Sequence, residues 1–121
     1  MVVTKNIANP KLLRPGFYLI KPYNIVIYVR GTDDFYYALP RREGSVHDFI
    51  VSVLKEGDVF VDVGANIGYY TILGSKLVGS KGLVIAVEPV PDTVKILRFN
   101  LRLNDIKNVL VIDKAAWSKH E

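Results

Sequence analysis

Apolar positions follow two rhythms along the chain. In residues 1–44 they fall in short runs rich in Ile, Val and Tyr. Phe17–Ile20 and Ile25–Val29 flank Lys21-Pro22-Tyr23-Asn24, and Pro and Asn are turn formers, so the pair predicts a β-hairpin. Arg30-Gly31-Thr32-Asp33-Asp34 predicts a second turn leading into a strand over Phe35–Leu39, which Pro40 and Gly44 close. Together these runs predict a small antiparallel β meander. A helical period follows. Ser45 is a good N-cap with Asp48 three residues on, Val46, Phe49, Ile50, Val53 and Leu54 share one face, and Gly57 stands where a glycine stops a helix.

From Val59 the period changes again. Val59-Phe60-Val61-Asp62-Val63 is nearly unbroken apolar sequence, as expected of a parallel strand covered on both faces. A glycine-bearing turn over Gly64–Gly68 leads to a helix expected over Ile67–Val78. A buried strand over Leu83–Val87, a helix over Pro91–Asn104 and a strand over Asn108–Ile112 follow. The order β-α-β-α-β with short loops predicts an α/β fold with a parallel sheet and right-handed crossovers. Residues 1–44 would form the meander and 45–121 the α/β core, within one compact domain.

Composition narrows the chemistry. Of 121 residues none is Cys, which excludes disulfides, thiol nucleophiles and cysteine-ligated metals, and His47 and His120 are too few for a histidine-rich metal site. The net charge of +4 is spread evenly: residues 1–60 and 61–121 each carry eight Lys/Arg and six Asp/Glu. That reads as solubility charge rather than a nucleic-acid footprint, and Lys95, Arg98 and Arg102 read as the solvated side of a surface helix. No run reaches the roughly 18 apolar residues of a membrane helix, and Met1–Lys11 lacks the apolar core of a signal peptide. A cytoplasmic, non-membrane protein is the expectation.

The informative segment is Asp62-Val63-Gly64-Ala65-Asn66-Ile67-Gly68, set between a strand and a helix, where open α/β sheets bind ligands. Gly64 permits a sharp turn and close approach by a ligand. Gly68 keeps the helix start free of a side chain, so that N–H groups can face a carboxylate or phosphate. Asn66 occupies the middle glycine position of the dinucleotide fingerprint, and no Gly-Lys-Ser/Thr follows, so neither that motif nor a P-loop is present. Asp62 would repel a pyrophosphate and suits an ammonium or sulfonium group. Glu88, at the tip of the next strand, suits two ribose hydroxyls. A ligand with a ribose, a cationic centre and a carboxylate matches S-adenosylmethionine.

The string Val59–Thr71 (VFVDVGANIGYYT), then Val84-Ile85-Ala86-Val87-Glu88-Pro89, then Asn100 and Asn104, resembles the FkbM-type methyltransferases. The resemblance is clear from Gly57 to Trp117 and fainter at Arg30-Gly31-Thr32-Asp33. It implies a class I, Rossmann-like fold, S-adenosylmethionine as cofactor, and O-methyl transfer to a hydroxyl of a sugar or other small molecule. It places Asp62, Gly64, Ala65, Asn66 and Gly68 at the methionine end, Glu88 at the ribose, and Asp113-Lys114-Ala115-Ala116 near the adenine. A class I sheet has about seven strands, so the resemblance also implies a truncated Rossmann-like sheet without its second half.

Two expectations follow. The strand Val59–Val63 should have an open edge, covered either by the N-terminal meander or by a second copy in a homo-oligomer. Catalytic residues stay unassigned: His47, Asp33, Asp34, Tyr69 and Tyr70 are the candidate bases, and Trp117 reads as a core or covering residue. The alternatives to a methyltransferase are a non-catalytic cofactor-binding or structural half-domain and a nicotinamide-dependent oxidoreductase, the latter disfavoured by Asn66 and Asp62.

Overall fold

Three runs of Val, Ile, Leu and Ala build the parallel sheet. The computed structural model describes residues 2–4, 15–31, 34 and 45–114. Strands β4 (Val59–Val63), β5 (Leu83–Val87) and β6 (Val109–Ile112) lie in that order, with Phe60 paired to Val84 and Asp62 to Ala86, then Val84 to Val109 and Ala86 to Val111. Helix α2 (Tyr69–Val78) connects β4 to β5, and helix α3 (Pro91–Leu103) connects β5 to β6. This is the predicted β-α-β-α-β unit. With right-handed crossovers both helices cover the same face of the sheet. The burial pattern agrees, since Val84 and Ala86 on that face are fully enclosed.

Helix α2 is buried on nearly every side, including Thr71, Gly74 and Ser75, which calls for a second layer on its far side. That layer is the N-terminal sheet. Strands β2 (Gly16–Ile20) and β3 (Ile25–Val29) form the predicted antiparallel hairpin around a turn with a cis Lys21–Pro22 bond, and their Ile20, Ile25, Ile27 and Val29 pack with Ile67, Ile72, Leu73, Leu97 and Leu101. A strand not foreseen, β1 (Val2–Thr4), adds to β2 in parallel, so this sheet is not purely a meander. The strand expected over Phe35–Leu39 lies outside the described residues.

Two asparagines fasten β3 to α3. Asn104 accepts the Val26 N–H through Oδ1 (2.9 Å) and donates Nδ2 to the Val26 carbonyl (2.6 Å). Asn100 does the same for Tyr28, at 2.8 and 3.3 Å. The spacing explains the fit. Residues i and i+4 of a helix are about 6 Å apart along its axis, and residues i and i+2 of a strand are about 6.7 Å apart. The two carboxamides therefore meet alternate peptide groups along the free side of β3.

Three expectations need correction. Helix α2 starts at Tyr69 rather than Ile67, because Gly68 has φ 104° and cannot continue a right-handed helix backwards. Helix α1 (Ser45–Val53) exists, but much of its apolar face is bare: Val46, Phe49 and Val53 are exposed, and Ile50 and Val51 turn toward the core. Its helix stops four residues before Gly57, whose N–H instead bonds the Val78 carbonyl (2.8 Å) on the way into β4. The hairpin does not cover the open edge of β4, because it docks on α2 and α3. Among the described residues nothing pairs with that edge. The sheet face opposite the helices is equally open, with Val59, Val61, Val63 and Leu110 at 63%, 53%, 62% and 53% exposure. Among the described residues no helix is long and apolar enough to cross a membrane.

Candidate functional site

The turn after β4 holds three left-handed residues in five, Gly64 (φ 74°), Asn66 (φ 55°) and Gly68 (φ 104°). Backbone bonds hold it to the end of β5: the Gly64 and Ala65 N–H groups both donate to the Val87 carbonyl, at 2.8 and 3.0 Å, and the Gly68 N–H donates to Ala65 (3.1 Å). The two glycines serve different ends. A Cβ on Gly64 would meet nothing within 4 Å, so the space over it is open to a ligand. A Cβ on Gly68 would lie 2.6 Å from Leu97 Cδ1, so here the missing side chain lets α3 pack against the turn. Gly68 thus serves packing on Leu97, which the spacing of glycines in the sequence does not reveal, and not only the ligand-facing purpose expected of it.

Both strand-tip acids come to this end of the sheet. Glu88 is almost wholly buried (5% exposed), and its carboxylate is held by backbone donors: Oε1 accepts the Asn66 N–H (2.9 Å) and Oε2 the Val90 N–H (3.1 Å). A carboxylate has about four acceptor sites. One on each oxygen therefore stays available for a pair of adjacent hydroxyls. Asp62 accepts the Thr71 hydroxyl (2.7 Å) from the first turn of α2. Burial pushes its carboxyl above the ordinary Asp value; the Thr71 bond opposes this and the negative charge of Glu88 adds to it. Desolvation and a like charge both disfavour the Asp62 anion, and a cation placed between the two acids would relieve both.

The other candidates are mostly occupied. Asp34 is buried and clamped by Arg30, which donates its backbone N–H (2.8 Å), Nε (3.1 Å) and Nη2 (2.9 Å) to the carboxylate and Nη1 to Thr93 (3.2 Å). That bond with Asp34 is the main reason the Arg30 guanidinium holds its proton more firmly than usual. His47 Nε2 bonds the Tyr69 hydroxyl (3.1 Å), its ring stacks on Tyr69 with centroids 6.0 Å apart, and Tyr23 and Tyr70 complete the cluster. Burial raises the pKa of Tyr69 and Tyr70, so neither phenol is a base near neutral pH. Lys95, Arg98 and Arg102 are exposed, as are Asp113 and Lys114 beyond β6. Asp33, Ala115, Ala116 and Trp117 lie outside the described residues.

The structure thus brings Asp62, Gly64, Ala65, Asn66, Gly68 and Glu88 to one end of the sheet. It adds Thr71, Leu97 and Asn100, which support the turn and which local sequence reasoning left without a role. Asn100 is buried, and its Nδ2 donates 2.8 Å to the Ile67 carbonyl inside the turn. The only sequence trace of this is an i, i+4 pair of asparagines on a helix.

Comparison with known proteins agrees with this geometry. The family model of the TRM5/TYW2 methyltransferase domain matches residues 32–117. The chain is 36% identical over 59 residues to protein-L-isoaspartate O-methyltransferase 1 of Archaeoglobus fulgidus, covering 49% of this chain and 27% of that protein. It is 33% identical over 63 residues to a probable cobalt-precorrin-6B C(15)-methyltransferase (decarboxylating) of Sulfurisphaera tokodaii, covering 52% and 33%. Among solved structures it superimposes on M. jannaschii TYW2 in complex with AdoMet with a TM-score of 0.59 and 27% identity, covering 83% of this chain and 44% of that one. The chain therefore spans about a third or less of the curated relatives it matches. The resemblance read from the sequence is borne out at the level of class I S-adenosylmethionine-dependent methyltransferases, and the matching family model is not FkbM.

Proposed function

Because the chain belongs to the TRM5/TYW2 methyltransferase domain family, we propose that it forms the cofactor-binding half of an S-adenosylmethionine-dependent methyltransferase. The observation that carries this reading is the buried Glu88 carboxylate, fixed by two backbone donors with an acceptor site free on each oxygen, beside the open space over Gly64. Glu88 would hold the ribose hydroxyls. Asp62 would face the cationic methionine end, and Gly64, Ala65, Asn66 and Gly68 would form the wall against which that end rests. When bound, S-adenosylmethionine supplies an electrophilic methyl group on its sulfonium sulfur. The residues of this chain would bind and orient it.

The FkbM resemblance implied a small-molecule or sugar hydroxyl as acceptor. We take the acceptor instead to be carried by a protein, by analogy with the protein-L-isoaspartate O-methyltransferase relative. The open edge of β4 and the bare sheet face support association with a second copy, since an exposed apolar strand edge pairs readily with another chain.

Calorimetric titration tests the cofactor reading. S-adenosylhomocysteine should bind and NAD should not, and Asp62→Ala and Glu88→Ala should each abolish the signal. Absence of S-adenosylhomocysteine binding at millimolar concentration leaves a structural half-domain; NAD binding alone returns the oxidoreductase. Transfer of labelled methyl to an isoaspartyl peptide, a tRNA pool or a sugar alcohol then separates the acceptor classes.

A further inference from the structure

The asparagine that fastens the N-terminal hairpin also reaches into the candidate cofactor turn. Asn100 is fully buried, and all of its carboxamide is engaged. Oδ1 accepts from the Tyr28 N–H of β3 (2.8 Å), and Nδ2 donates to the Tyr28 carbonyl (3.3 Å) and to the Ile67 carbonyl (2.8 Å). Ile67 stands between Asn66 and Gly68, both left-handed, where the backbone has least support from regular structure. Two peptide groups earlier in the same turn, the Asn66 N–H donates to Glu88. One turn earlier on α3, Leu97 fills the space left by the missing side chain of Gly68.

We infer that Asn100 is a positioning residue for S-adenosylmethionine, holding the turn over residues 64–68 in its binding shape, and that the β2–β3 hairpin is part of the cofactor site's support. The inference rests on the cofactor reading above and adds to it a residue that need not touch the ligand. The physical reason is the cost of the turn. The left-handed region is strained for a residue that carries a Cβ, as Asn66 does, and a single short bond from a rigid, buried donor fixes the Ile67 carbonyl between it and the left-handed Gly68. Asn104 provides an internal control. It makes the same two bonds to β3, at Val26, and otherwise bonds only the Asn100 carbonyl on its own helix (2.8 Å), without touching the turn.

The test compares variants at the two positions in the full chain. Asn100→Asp keeps an acceptor for Tyr28 and removes the donor to Ile67, and Asn100→Ser is a smaller change for use if the first does not fold. Either should weaken S-adenosylhomocysteine binding by tenfold or more. Asn104→Ala should leave binding within twofold, even where it lowers the melting temperature as much. Backbone amide exchange at Asn66 and Gly68 should speed up at least tenfold in the Asn100 variants without ligand, and should not change in Asn104→Ala. In the wild-type protein the Asn100 side-chain amide protons should resist exchange. Unaltered exchange at the turn in a folded Asn100 variant overturns the inference, as does an Asn104 variant that weakens binding equally. Freely exchanging Asn100 side-chain protons in the wild type do the same. If the wild-type protein binds no S-adenosylhomocysteine, the cofactor reading fails and this inference fails with it as a statement about cofactor; the exchange data then show separately whether Asn100 holds the turn.

Discussion

Replacing Glu88 by Gln separates a ribose-binding carboxylate from one that only ties down a turn. Gln keeps the length and one oxygen but turns the other into an NH2 group. Both Glu88 oxygens now accept backbone N–H bonds, from Asn66 and Val90, so in the variant one of those donors faces another donor. An unsatisfied buried N–H costs about 1–3 kcal/mol, and the melting temperature should fall by several degrees. Binding should lose more than stability alone explains. One charge-assisted bond to a ribose hydroxyl, worth about 1.5–3 kcal/mol, disappears, so S-adenosylhomocysteine should bind about 10- to 150-fold more weakly. The assay is titration calorimetry with two ligands, S-adenosylhomocysteine and its 2′,3′-dideoxy analogue. The analogue lacks the hydroxyls, so wild type and variant should bind it alike. Wild-type-like affinity of Glu88→Gln for S-adenosylhomocysteine would refute the reasoning. Equal discrimination against the dideoxy analogue would do so too, because the loss would then arise from the turn and not from the ribose.

Other perturbations have equally definite outcomes. Gly68→Ala meets both a left-handed φ, costing about 1–2 kcal/mol, and the Leu97 methyl, costing about 1–3 kcal/mol. Urea unfolding should show a loss of about 2–5 kcal/mol, and Leu97→Ala in the same chain should recover about 1 kcal/mol or more as coupling. Asp62→Asn should raise the melting temperature at pH 7 while weakening S-adenosylhomocysteine binding. The folded-state pKa of Asp62 is raised, so its ionised form carries a penalty that is fully present above that pKa and relieved as pH falls through it toward the unfolded value. The stability difference between variant and wild type should therefore shrink on acidification toward pH 4; a constant difference would contradict the sign. Val61→Lys, on the bare face of β4, should leave the far-ultraviolet circular dichroism unchanged and reduce the solution mass to that of one chain, as read by light scattering.

The sequence revealed most where one residue type has one physical use. Unbroken Val and Ile runs over Val59–Val63 and Leu83–Val87 read as strands, and both formed with helices between them; the cover on both faces that such runs imply is not met, since among the described residues nothing lies over Val59, Val61 and Val63 on the face opposite the helices. Asp62 and Glu88 were legible because a carboxylate at a strand tip is costly without a purpose. Gly68 was legible as special but not as to why: whether a missing Cβ makes room for a ligand or for a neighbour depends on Leu97, 29 positions away. The stripe on α1 misled for a related reason. Val46, Phe49 and Val53 are apolar at helical spacing, yet nothing among the described residues covers them, because period reports only which face an element would bury. Asn100 and Asn104 carry part of the family resemblance, but the sequence gives them no bonding partner. Their partners are peptide groups some 70 residues upstream, which no local pattern encodes.

The carboxamides on α3 make a helix behave as though it were a fourth member of the N-terminal sheet. Without them β3 would present the unmet peptide groups of Val26 and Tyr28 to any extended chain nearby, including its own nascent copies. The pair thus acts as a molecular hem, and losing both stitches would give the young polypeptide a new template for fibril growth.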